Sequence, residues 1–220
     1  MYDNIHTAFD IMKEFLIQGA ELERTYGIPI LPAVNIKPVD TIDFGESFNR
    51  KIKNHRELNV NFYVDDTIFT RFWNNPDKYI NHLRCFNSIM CPDFSISTGN
   101  TGMPFALNLY NHYRNHALGW YMHINGIKVI PSVSIPDKEN YEWCFAGLPK
   151  HSTLSVCTNG RIRAKASRIE FCEGFHEMCK RLEPLRVIIV GRIPDELNSP
   201  VEIINLKTRN QKINEEFGGK

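Results

Sequence analysis

Five short apolar runs in this chain stop at a polar or small residue just before a helix signal. They are NVNFYV before Asp65 and Asp66, SIMCPDFSIS around Asp93 and Ser95, IKVIPSVSI around Pro131, Ser132 and Ser134, STLSVC before Thr158 and Asn159, and LRVIIV before Gly191 and Arg192. Strands that alternate with helices build a mostly parallel sheet, because the crossover helix lets the next strand run the same way. Such sheets bind ligands at the carboxyl ends of their strands. The expected fold is therefore α/β, a mostly parallel sheet of repeating βα units. Polar termini recur on successive strands instead of at one switch point, which favours a closed or partly closed β/α barrel. The alternative is an open doubly wound sheet.

A chain of 220 residues has room for one substantial core, and no linker or repeat divides it, so residues 1–220 read as a single domain. The net charge of +1 points to neither a nucleic-acid nor a membrane partner by itself. The opening MYDNIHTAFDIMKEFL carries acids and lacks an apolar signal core. No apolar stretch reaches the roughly 20 residues that span a bilayer. The expectation is a soluble, cytoplasmic protein. None of the six cysteines forms a Cys-x-x-Cys pair, the pattern of small buried hydrophobes in a reducing compartment. Cys172, His176 and Cys179 stand one helical turn apart, yet zinc sites draw their ligands mainly from turns, so burial is the preferred reading there.

Helical spacing predicts a helix over 5–26, closed by Gly27 and Pro29. The prolines of IPILPAVNIKP make the next segment extended, and 41–57 reads as a polar loop with a short helix. The regular βα core is expected over about 58–206. Within it, Asp65 or Asp66 caps one helix, Pro104 opens a long amphipathic helix, and Ser167 with Glu170 makes a capping box. The polar segment 207–220 reads as a frayed tail.

Taken in order, FYVDD, PDFS, RNHALGWY, GIKVIPSV and FAGLP resemble an uncharacterised bacterial and phage family, the domain of unknown function numbered 4417. The resemblance runs from about Tyr26 to Gly191. It implies a phage or mobile-element setting and a fold of βα repeats, and it brings no activity with it.

The candidate site residues are those at the strand ends. Asp66 and Asp93 are the candidate catalytic acids or bases and the candidate ligands of a divalent metal. Alternation puts Asp93 and Ser95 on one face of their run, and a charge inside a packed sheet is costly unless it is paired or open at the sheet end. Ser95, Ser132, Ser134 and Asn159 are candidate substrate-binding groups, with Arg114 and Arg192 as anion clamps. Arg161 and Arg163 lie near Asn159 as further cations. His112 and His116 are one turn apart, but His-Glu-x-x-His is absent and their face is apolar, so buried histidines are expected. The chain has no G-x-S-x-G, P-loop or G-x-G-x-x-G motif. Two functions remain open. One is an enzyme acting on a phosphate-containing substrate, a nucleotide or nucleic acid, with metal assistance. The other is a non-catalytic protein that sequesters a small nucleotide or masks a host protein. No membrane partner is expected.

Overall fold

The structure is a computed structural model, and it describes residues 10–99 and 102–217. Among these residues the chain forms two parallel sheets. The first has the order β1 (Asp40–Asp43), β2 (Leu58–Asn61), β3 (Ser88–Met90), β4 (Val129–Ile130). The second has the order β5 (Thr153–Cys157), β6 (Arg186–Val190), β7 (Glu202–Leu206). The helices α1 (Asp66–Asn74), α2 (Asp77–Leu83), α3 (Phe105–Ile124), α4 (Tyr141–Cys144), α5 (Lys165–Leu182) and α6 (Arg209–Phe217) follow β2, β3, β4, β5 and β7 in turn or lie between them.

Strand alternation sorts the core. Val60, Ile89 and Val129 face the cluster that also holds Phe69 and Phe72 of α1, Leu83 of α2 and Leu118 of α3. Leu154, Val156, Val187 and Ile189 face a second cluster with Phe171, Phe175 and Met178 of α5. The opposite faces of both sheets meet in a third cluster of Met90, Ile130, Ile188, Val190 and Leu206. Ile188 and Val190 therefore alternate with Val187 and Ile189, as a strand buried on both faces requires. On β1 and β2 the face away from the helices is polar and buried. There Thr41 Oγ1 donates to Asn59 O at 3.1 Å, and Asn61 Nδ2 donates to Thr41 Oγ1 at 3.0 Å. These bonds offset the burial of polar groups.

One parallel bridge, Ser132 to Ser155, ties the sheets together, with Val133 N donating to Ser155 O at 2.8 Å and Ser155 N to Pro131 O at 2.9 Å. The proline-bearing segment 29–36 is extended and lies beside β5, where Thr153 N donates to Val34 O at 2.7 Å.

Several expectations are corrected. The barrel does not close: among the described residues β1 pairs only with β2, and β7 only with β6, so the arrangement fits an open α/β sheet. The strands carrying the expected site are mutually parallel, as anticipated. Residues 5–9 of the expected first helix lie outside the described residues. From Asp10 the chain makes turns and one short 3-10 helix, Glu14–Ile17, because Lys13 (φ 57°) and Gly19 (φ 75°) hold left-handed conformations that interrupt a helix. The periodic residues still serve the core, since Leu16 is buried against α3. Inside the expected loop 41–57, residues 41–43 belong to β1, whose alternating apolar signal is a single Ile42. The expected frayed tail forms α6. Its start carries a reciprocal cap: Thr208 N donates to Gln211 Oε1 at 2.8 Å, and Gln211 N donates to Thr208 Oγ1 at 3.3 Å. Ser167 does not cap α5, which begins at Lys165 after Ala164.

Candidate binding cleft at the strand ends

The residue after β2 that caps α1 is Asp65, whose carboxylate accepts from Thr67 N at 2.9 Å and Thr67 Oγ1 at 2.6 Å. Asp66 is thereby freed from capping and turns to the next strand end. Its carboxylate accepts from Ser95 N at 3.1 Å and from Ser95 Oγ at 3.0 Å. Asn111 of α3 holds the other side of this turn, with Nδ2 donating to Ser95 O at 2.6 Å. Asp66 and Ser95 are thus a staple between two strand-end loops.

Asp93 differs. It is partly buried, and among the described residues it has no cation within 4 Å. Ser134 Oγ donates to its Oδ1 at 3.1 Å. Burial pushes its carboxyl pKa up to about 6, against the opposing pull of the Arg161 charge and the Ser134 hydroxyl, while the negative charge of Asp66 adds to the rise. Asp93 opens into a cleft of about 260 Å³ that is also lined by Tyr63, Ser95, Ser134, Cys157, Asn159 and Arg161. Burial raises the Cys157 thiol to about 12, so it stays a thiol. Tyr63 reaches under the cleft, donating to Ser155 Oγ at 2.9 Å with Ser132 Oγ 3.3 Å away, and Ser132 donates onward to Cys91 O at 2.8 Å. Burial raises the Tyr63 phenol well above its ordinary value, so it acts as a neutral donor.

The expected residues therefore divide. Asp93, Ser95, Ser134 and Asn159 line one cleft, and Asp66 joins it through Ser95. Ser132 lies beneath, bonded within the Tyr63 network. Arg192 belongs to a neighbouring cleft, where it pairs with Asp195 at 3.0 Å. Arg114 is caged by aromatic rings, 3.6 Å from the Phe94 centroid and 5.0 Å from that of Tyr110, and it donates to Asn111 Oδ1. Its guanidinium thus braces the Phe94 turn through cation–π contact. Arg161, Tyr63 and the helix-capping Asp65 join the lining, with Val64, Ile96 and Val133 as its apolar part. Arg161 was visible in sequence as a cation near Asn159, whereas Tyr63 was hidden inside an apolar run.

Among the described residues no three His, Cys, Asp or Glu side chains gather as a metal site. The Cys172, His176, Cys179 set is no exception: His176 Nε2 bonds Asn198 O at 2.6 Å. His112 and His116 are buried, with rings 4.4 Å apart and bonded to Ala146 O and Pro29 O.

The family model described as Domain of unknown function (DUF4417) matches residues 20–207. The chain is similar to the Gene 1 protein of Mycobacterium phage L5, 26% identical over 194 residues, covering 87% of this chain and 82% of that protein. It is also similar to the Gene 1 protein of Mycobacterium phage D29, 27% identical over 143 residues, 64% of this chain and 52% of that protein. No solved structure matches the chain. No helix among the described residues is long and apolar enough to cross a membrane.

Proposed function

The chain belongs to the DUF4417 family, which carries no activity of its own to transfer, and from the cleft geometry we propose that it acts on a phosphate-bearing substrate with Asp93 as the proton-transfer group. The observation that carries this reading is Asp93 itself: a carboxyl that opens into a cleft, holds a hydroxyl at 3.1 Å, has no cation within 4 Å among the described residues, and titrates at about 6. A general acid or base works best with a pKa near the working pH. Arg161, on the same lining, attracts an anion toward it. The setting proposed is a phage or mobile element, after the similar Gene 1 proteins. Action in the cytoplasm suits six cysteines that are all unpaired.

One observation favours a second reading, a binding protein without chemistry. Asp66 is engaged by Ser95, so a two-carboxylate mechanism has only one free member. The test is a panel of nucleotides and other phosphate esters, scored for a rise in melting temperature and for turnover between pH 5 and 8. Turnover with a pH limb near 6 that Asp93→Asn abolishes, while the melting rise persists, supports the enzyme. A melting rise without turnover supports the binder. No rise and no turnover across the panel rejects both.

A further inference from the structure

Beside the Asp93 cleft lies a larger one of about 490 Å³, formed where the loops after β5 and β6 meet the first turn of α6. Its cationic lining is Arg163, Arg168 and Arg192, against one carboxylate, Asp195. Resting on the reading above, we propose that this basin anchors the phosphate of the substrate, and that Asn159, which lines both clefts, marks the crossing to Asp93. The substrate class is then an extended organic phosphate, with the phosphate in the arginine basin and its reacting portion beside Asp93.

Four features argue for it. Arg163 is exposed and makes no ion pair within 4 Å among the described residues. The Arg192–Asp195 pair is exposed on both sides, 70% and 82%, so it is weak and exchanges readily for a stronger anion. Arg168 is held at 2.9 Å by Glu196, which fixes one guanidinium at the rim. The start of α6 lines the basin with Thr208, Asn210 and Gln211: its cap satisfies Gln211 N, while the N–H of Asn210 has no acceptor among the described residues. Helix-start amides favour negative charge nearby.

An independent observation comes from the floor. Thr158 lines the basin, is 1% exposed, and its hydroxyl has no hydrogen-bond partner. That hydroxyl is turned to Gly191, another lining residue, where any Cβ would stand 2.4 Å from Oγ1. Gly191 also has φ 119°, a conformation that side chains disfavour. Glycine thus keeps the floor of the basin low and leaves room for the buried Thr158 hydroxyl packed beneath it.

Binding is measured on the full chain by titration calorimetry with adenosine 5′-monophosphate, adenosine and inorganic pyrophosphate, at matched ionic strength. The expected result is that the monophosphate and pyrophosphate bind and adenosine does not. Arg163→Gln with Arg192→Gln should weaken both at least tenfold, and Arg163→Lys with Arg192→Lys should recover part of the loss. These arginines are exposed, so the variants keep the fold, which circular dichroism checks. Equal binding of adenosine, unchanged affinity in the double Gln variant, or no binding by either phosphate probe overturns the basin. If the basin variants bind as wild type while Asp93→Asn or Arg161→Gln abolishes binding, the anchor is the Asp93 cleft: the basin fails and the proposed function stands. If the basin binds phosphate but Asp93→Asn leaves turnover unchanged, the basin stands and the Asp93 role fails.

Discussion

Asp93 is where a single side chain sets a measurable property of the whole protein. Its folded pKa is raised to about 6, from a model-peptide value near 3.9. The folded state therefore holds its proton more tightly than the unfolded state does. Below the unfolded pKa the two states are protonated alike. As pH rises through 4 to 6 the unfolded state gains by ionising first, and Asp93 lowers stability. A shift of about two units bounds this cost at about 3 kcal/mol, and partial exposure reduces it to about 1–2 kcal/mol. Asp93→Asn removes the cost, so the variant should be more stable than wild type at pH 8 and closely matched to it near pH 4. Urea midpoints at both values check this, and a variant less stable at pH 8 marks Asp93 as a structural group. The residue was legible in sequence because a carboxylate inside an apolar run demands an explanation. The surroundings of Arg114 were not legible, because helical spacing tells which residues share a face but not that Phe94 and Tyr110 wait opposite.

At the scale of an element, α3 carries the opposite pH dependence. His112 Nε2 meets Ala146 O at 3.0 Å and His116 Nδ1 meets Pro29 O at 2.8 Å, and a carbonyl can only accept, so each ring carries its proton there and is neutral. Burial lowers the His112 pKa to about 4, and burial plus the neighbouring ring lowers that of His116 well below its ordinary value. A depressed histidine means the unfolded state binds more protons below about 6.5. Stability is then complete above that pH and falls as the pH drops toward 4, by about 2–3 kcal/mol for His112 alone. This exceeds the gain that Asp93 contributes over the same acid range, so the net effect is acid destabilisation. His112→Gln should flatten the dependence of the urea midpoint on pH between 4 and 6.5, and an unchanged slope refutes the neutral pair. The long helices and buried strands were legible because α3, α5 and β6 bury regular faces. β1 and α6 were not: a four-residue strand with a polar inner face of Thr41 and Asp43 has no apolar alternation, and α6 announces itself only by the Thr208–Gln211 cap. Much of the arginine basin was hidden with it, since Asn210, Gln211 and Asn214 fall in what composition marks as a tail.

For the whole molecule, the question is whether two sheets make one cooperative body. Their direct tie is narrow, a single bridge at Ser132 and Ser155 with the Tyr63 hydroxyl across it. The apolar tie is broader, because the third cluster takes Met90 and Ile130 from one sheet and Ile188, Val190 and Leu206 from the other. Opening the molecule between the sheets would expose all five side chains, at roughly 1.5–3 kcal/mol each. That sum is comparable to the total stability of a typical domain, about 5–15 kcal/mol, so neither sheet should survive the loss of the other. The tryptophans allow a direct test, since Trp73 sits in the first cluster, Trp120 packs against it, and Trp143 sits in the second. With Trp143→Phe, fluorescence reports the first cluster. With Trp73→Phe and Trp120→Phe together, it reports the second. Each variant's fluorescence midpoint in urea should coincide with its own circular dichroism midpoint, as two-state unfolding requires. A fluorescence transition that precedes the loss of helix in either variant would mean that the sheets unfold separately. The Asp93 cleft, lined from both sheets, would then lie between two independent units, and ligand binding in it would have to join the units as well as fill the site.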